Sequence, residues 1–260
     1  MIQSTDQTGQ IITLKGPPQR IISLVPSQTE LLFNLGLDKE TIGITRFCIH
    51  PEIWYGSKNR IGGTKDLHLD KIKELQPDLV IANKEENTRE QVEEIRKFCP
   101  VWTSDIANLK DALEMIRGIG QLTGKSETAN RLASEIETDL ASVSKEFTPL
   151  TAAYLIWKDP FMVAGGDTFI NDMMKICGLD NVFDYKFRYP EVTVEEIAAV
   201  SPNVVLLSSE PYPFRDKHIG LLERQLPGVK ISLADGEMFS WYGSRLLRSA
   251  NYFRDLRASI

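Results

Sequence analysis

DKIKELQPDLV (70–80) and EEIAAVSPNVV (195–205) are one pattern written twice. In each, an amphipathic run ends at a proline, an Asp or Asn follows, and an apolar run begins. Ile72 and Ile197 stand 125 residues apart, as do Pro77 and Pro202. Proline does not continue a helix, and a short apolar run bounded by turn residues reads as a buried strand. Helix, proline and strand therefore occur once in each half of a 260-residue chain. A GLD turn also recurs after a helix, at 36–38 and 178–180, and the shared order predicts two lobes of similar build.

The flanking sequence alternates in the same way. RIISLV (20–25) is a strand and PSQTELLFNLGL (26–37) a helix, with Ser27 and Glu30 spaced as a capping box and Gly36 closing it. TIGIT, DLVIAN and VWTS read as further strands, separated by the helical TREQVEEIRKF and LKDALEMIRGIGQLTG. The second half repeats the scheme with TAAYLIW, TFINDMMKICG, an extended NVFDY, NVVLLSS, VKISLAD and a long helix from Gly243. Such alternation predicts an α/β fold of two Rossmann-like lobes with mostly parallel sheets. Between the halves, Ala129, Leu132, Ala133, Ile136, Leu140, Val143 and Phe147 step by three and four, an amphipathic helix unbroken by Gly or Pro. It would span ~35 Å at 1.5 Å per residue. The expected division is an N-terminal lobe (1–124), an interlobe helix (125–147) and a C-terminal lobe (148–260), with small closure about a preformed cleft.

Composition narrows the function. With 42% hydrophobic and 25% charged residues and a net charge of −6, the chain is an ordinary globular protein with no electrostatic footprint for nucleic acid. No apolar run approaches the ~20 residues of a membrane span. MIQSTDQTGQ at the start lacks the pattern of a signal peptide, which by itself reads as cytoplasmic unless a leader was removed. Cys48, Cys99 and Cys177 are odd in number and widely spaced, so no disulfide framework is expected, and Cys99 and Cys177 read as buried. GIGQLTGKS (118–126) has Ile119 where a phosphate loop needs its first glycine. No nucleophile elbow, H-E-x-x-H or C-x-x-C occurs, and His68 and His218 read as solvated. A non-enzymatic chain is expected.

In open α/β sheets ligands gather beyond the carboxyl ends of the strands. Here those ends supply Arg46-Phe47-Cys48-Ile49-His50 and Asn83-Lys84-Glu85 in the first half. The second supplies Trp157 to Phe161, Phe187-Arg188-Tyr189, Glu210-Pro211-Tyr212 and Met238 to Tyr242. Aromatic surface from Phe47, Trp157, Phe161, Tyr189 and Trp241, with arginines at 46, 188 and 245, suits a bulky, partly planar ligand.

RIISLVPSQTELLFNLGL, LDKIKELQPDLVIA, the interlobe helix and VTVEEIAAVSPNVVLL together resemble the helical-backbone substrate-binding proteins of ABC importers, the cobalamin binders first, with ferric-siderophore and haem binders related. The resemblance implies two lobes bridged by one helix, with a transported metal chelate (corrinoid, haem or ferric siderophore) bound between them and no permanent cofactor. It further implies an ABC permease with its ATPase as partners, a monomer without nucleic acid, and a periplasmic or membrane-anchored extracytoplasmic location. Acidic residues that dock the permease match Asp70 and Glu195, and aromatic ligand positions match Phe47, Phe161 and Tyr189. Two tryptophans of cobalamin binders are replaced by Thr64 and Asn83, and the C-terminal contact loop becomes EMFSWYGSR, with Trp241 and Arg245. The competing readings are a cytoplasmic protein or enzyme handling corrinoid or haem, and direct binding of a metal ion.

TRFCIHP (45–51) bears on that choice. If the preceding strand continued, Cys48 and His50 would share one face and Phe47 and Ile49 the other. Three roles follow: pocket wall, His50 as axial ligand to a chelated cobalt or iron, or a Cys48–His50 bare-ion site.

Overall fold

A computed structural model describes residues 1–260, and the chain divides into two compact units. The first comprises residues 1–106, 110–135 and 242–245; the second comprises 107–109, 136–241 and 246–260.

In the first unit the chain forms β1 (Ile2–Thr5), β2 (Ile11–Leu14), β3 (Ile21–Ser23), α1 (Pro26–Asn34), β4 (Thr41–Ile44), α2 (Glu52–Ser57) and β5 (Asn59–Arg60). It continues through α3 (Leu69–Glu74), β6 (Leu79–Asn83), α4 (Arg89–Arg96), β7 (Val101–Ser104), α5 (Leu109–Leu122) and α6 (Ser126–Val143). The second unit adds β8 (Leu150–Trp157), β9 (Met162–Val163), α7 (Phe169–Ile176), β10 (Leu179–Asn181), α8 (Val194–Val200) and β11 (Val204–Ser208). Then come α9 (Asp216–Gln225), β12 (Lys230–Ala234), α10 (Gly236–Ser240) and α11 (Leu246–Ser259). The helix α6 contributes residues to both units and is 18 residues long, shorter than the 125–147 read from the sequence. Its stripe from Ala129 to Val143 is buried as the spacing predicts.

The first unit holds a parallel sheet in the order β5-β4-β3-β6-β7; the second has β10-β8-β11-β12, with β9 antiparallel on β8. Setting aside the edge strand β5 and the hairpin strand β9, each sheet runs second-first-third-fourth in chain order. The sequence repeat is thus a repeat of topology. It extends to the backbone: Gln76 (φ 47°) and Ser201 (φ 44°) both turn left-handed just before their proline. The Asp or Asn that follows does one job twice. Asp78 accepts the N–H groups of Gln19 and Arg20 at 2.7 and 2.9 Å, and Asn203 Oδ1 accepts that of Thr151 at 2.9 Å, each tying the third strand's entrance to the first. Ile72 and Ile197 are fully buried.

Three features depart from the local reading. The hairpin β1–β2 is organised by Asp6, whose Oδ1 accepts from Thr8 and Gln10 while Oδ2 accepts from Thr103 and Arg96, a long-range arrangement with no local signature. No capping box forms at Ser27: α1 starts at Pro26 with Val25 as its cap, and Glu30 faces elsewhere. The helix expected from Gly243 begins three residues later, at Leu246, because Tyr242–Arg245 belongs to the first unit. There a Cβ at Gly243 would lie 2.6 Å from the Ser27 carbonyl oxygen, Ser244 accepts from Asn34 Nδ2 at 2.8 Å, and Tyr242 donates to Glu86 at 2.7 Å. Arg245 Nε and Nη2 each donate to a Glu30 carboxylate oxygen at 2.8 Å, a bidentate pair with both side chains buried.

Removing one member of a buried, bidentate pair strands the other charge, which costs about 3–5 kcal/mol. Glu30→Ala and Arg245→Ala should each lower the denaturation free energy by about that amount in urea titrations. A loss below about 1 kcal/mol in both would mean the pair behaves as a surface contact.

Candidate functional site

The buried strands of each unit end at one edge, where the chain turns out into loops, and the chemistry-bearing side chains concentrate there. β6 and β11 are buried along their whole length. Only their carboxyl ends can present polar or aromatic groups to a ligand.

In the first unit, β4 stops at Ile44 and a turn follows, with Cys48 N–H donating to Thr45 O and Ile49 N–H to Phe47 O. Strand alternation therefore does not apply to TRFCIHP. Phe47 (49% exposed) and Ile49 are outside, His50 is half-buried and Cys48 is fully buried. Arg46 lays its guanidinium 5.1 Å from the Phe47 ring centroid. Gly63 lets this pair pack down, since a Cβ there would come within 3.1–3.3 Å of both side chains. The Cys48 sulfur accepts from Thr29 Oγ1 and lies the same 3.1 Å from Thr45 Oγ1. Burial pushes the thiol up to about 11, against the pull of the two hydroxyls. A neutral thiol turned into the core is no ligand for a bare ion, and no group of three or more His, Cys, Asp or Glu side chains converges to hold one. The structure thus turns Cys48 into the core, away from the exposed Phe47 and Ile49, rather than onto a face shared with His50.

Asn83 is also committed internally. It is buried, its Oδ1 accepts from the N–H groups of Glu85 and Glu86, and its Nδ2 donates to Ser104 Oγ at 3.0 Å. Those bonds shape the loop after β6, so Asn83 builds the edge rather than projecting from it. Arg245 is held in its buried pair with Glu30, which accounts for its position without any ligand.

In the second unit, Trp157 (40% exposed) meets Tyr212 edge-on at 5.7 Å, and Tyr212 packs on Phe214 at 4.7 Å. His218, expected to be solvated, is buried beneath them, with Nδ1 accepting the Arg215 N–H at 2.9 Å. Phe161 packs on the sheet core, and Arg188 stands 5.6 Å from the Tyr189 ring centroid. The loop carrying Tyr185, Phe187, Arg188 and Tyr189 is laced to Gly165 and Gly166, whose N–H groups donate to the Arg188 and Lys186 carbonyls at 2.8 Å. A Cβ at Gly166 would overlap the Asp184 carbonyl, so that crossing requires glycine. Tyr185 and Phe187 are 64% and 77% exposed. Nothing in the sequence singles out Tyr185, which closes the NVFDY run read as extended. Trp241 is nearly buried and donates through Nε1 to Glu210.

Each unit thus carries in a loop an arginine lying on the aromatic ring of the next residue: Arg46 on Phe47 just after β4, and Arg188 on Tyr189 in the loop between β10 and α8. A guanidinium on a ring offers a flat apolar face and a fork for oxygen anions together. Asp70 and Glu195 lie elsewhere, each exposed in the first turn of the helix that precedes the third strand of its sheet.

Sequence and fold comparisons agree with this architecture. Over 198 residues the chain is 27% identical to a vitamin B12-binding protein of Vibrio campbellii, a stretch covering 74% of this chain and 72% of that one. The crystal structure of the periplasmic vitamin B12-binding protein BtuF of Vibrio cholerae superposes with a TM-score of 0.79 at 19% identity, covering 93% of this chain and 98% of that one. The periplasmic haem-binding protein HutB of Vibrio cholerae gives 0.79 at 20% identity, over 92% and 98%. The periplasmic binding protein family matches residues 21–223, from the first strand of one parallel sheet into α9 of the other unit, and the chain belongs to that family.

Proposed function

We propose that the chain is the substrate-binding protein of an ABC importer, working outside the cytoplasm. Its cargo is a metal chelate, corrinoid first, haem or ferric siderophore second. The observation that carries this reading is the arginine–aromatic pair in a loop of each of two units of one topology, in a chain of the periplasmic binding protein family. Relatives named for vitamin B12 and a fold shared with haem binders point to the same cargo class. Phe47, Trp157, Phe161 and Tyr189 supply the contact surface, while Asn83 and Trp241 shape the loops behind it. No step of this function breaks or forms a covalent bond in the protein, so it is capture and release rather than catalysis.

His50, half-buried in the same loop as Phe47, is proposed to bind a chelated cobalt or iron axially, a role that imidazole suits. Absorption titrations with cyanocobalamin, haemin and a ferric hydroxamate should give saturable binding of at least one. His50→Ala should then weaken that binding by at least the ~10-fold typical of a disturbed metal sphere and shift the visible band. Cys48→Ser, beneath the loop, should leave the band in place. An unshifted band in His50→Ala reduces His50 to a wall of the pocket, and failure of all three chelates to bind sinks the reading.

Asp70 and Glu195 are proposed to dock the permease through basic residues. They occupy matching first-turn positions, where a carboxylate also favours the helix dipole. The Glu195 carboxyl is held below its ordinary range by its own backbone amide and then by Thr193, so it stays ionised at lower pH than a free glutamate. Reversing both to lysine should abolish complex formation with the transporter in pull-downs at moderate salt. Chelate affinity should stay within about twofold, since both groups are exposed. Undiminished complex formation would leave them as helix-end acids only.

A further inference from the structure

The carboxyl end of β11 holds an acid to which the contact surface above gives no role. Glu210 is half-buried and follows Ser208 and Ser209 at the strand's exit. Its Oε1 accepts two hydrogen bonds, from Ser240 Oγ at 2.6 Å and Trp241 Nε1 at 2.9 Å, and Oε2 accepts neither. Its backbone is fixed as well: Ser208 Oγ donates to the Glu210 carbonyl at 2.5 Å and receives the Glu210 N–H at 3.3 Å. Gly236 completes the seat. A Cβ there would lie 2.6 Å from Glu210 Cγ and 2.5 Å from Ser208 Oγ, so only glycine admits the glutamate in this position.

This acid has no cationic partner. The charged groups that bear on it are acids, Glu237 on α10 and Asp235 at the end of β12, and the phenol of Tyr154 on β8 also faces it. Burial, ahead of those acids, raises its proton affinity against the two hydrogen bonds. A half-buried carboxylate held by two donors on one oxygen, with the other oxygen unoccupied, is half of a recognition pair. Its complement is a neutral or positive N–H donor; a second carboxylate brought against it would meet like charge and lose its own hydration.

We propose that Glu210 sets the chemical class of the chelate. Its second oxygen accepts from a ligand periphery carrying N–H donors, as the carboxamides of a corrinoid do, and disfavours one rimmed by carboxylates, as the propionates of haem are. This rests on the reading that a metal chelate binds at this edge. Ser240 and Trp241 are positioning residues: they aim the carboxylate and leave its outer oxygen to the ligand.

The test is absorption titration at pH 8 of wild type, Glu210→Gln and Glu210→Ala with cyanocobalamin, dicyanocobinamide and haemin. Circular-dichroism melts of each variant verify that it folds. Wild type should favour both corrinoids over haemin. Glu210→Gln keeps the shape and removes the charge, and should lower the corrinoid-to-haemin affinity ratio by about tenfold or more, the scale of one charged hydrogen bond. Glu210→Ala should lower it at least as far. A ratio within about twofold of wild type in both variants overturns the proposal while leaving chelate capture standing. Binding of none of the three by wild type overturns the role of Glu210 as a selector between corrinoid and haem, and leaves chelate capture to be decided by the ferric hydroxamate titration.

Discussion

A strand buried on both faces can offer a ligand nothing along its length. β6 and β11 lie wholly inside their units, so each must supply any chemistry at its exit. The remaining structure follows from serving those exits. Asp78 and Asn203 anchor the strand entrances, leaving the opposite ends to carry loops of uneven length. Glycines at 63, 166 and 236 let those loops pass close to one another or to the sheet. Arg46–Phe47 and the half-buried Glu210 sit on chain that has just left a strand, while Arg188–Tyr189 lies further along the loop between β10 and α8.

The same division between strand and exit explains what could be read in advance. Apolar runs, prolines and helical spacing report burial directly, so the two-fold repeat, the parallel sheets and the stripe of α6 were legible from residue types alone. Polar side chains near the exits were not legible, because their type does not say whether they serve a ligand or their own loop. Asn83 reads the same in either role, and only its bonds to Glu85, Glu86 and Ser104 reveal the loop. Ser27 and Glu30 have the spacing of a capping box, yet Glu30 is claimed by Arg245, 215 residues away. Cys48 was placed by strand alternation beyond the point where the strand had stopped. Local rules failed where a distant partner offered a better bond.

Electrostatically the two units use carboxylates in contrasting ways. Glu30 is buried and fully paired, which fixes structure and leaves no free valence. Glu210 is half-buried with one oxygen spoken for, which is what the role proposed for it requires. Asp70 and Glu195 are exposed on helix ends, where charge acts at longer range and is screened by salt. Three depths of burial thus match the permanent pair seen at Glu30 and the selective and docking roles proposed for Glu210 and for Asp70 with Glu195.

The return of Tyr242–Arg245 to the first unit also bears on how the protein is made. Synthesis runs from the amino end, so Glu30 emerges long before the guanidinium that will cover it. During that interval the carboxylate must remain hydrated, and the first unit cannot close over α1 in its final form. The two units therefore do not mature as separate modules in order of translation. The first unit is finished by a residue synthesised 215 positions after the carboxylate it covers.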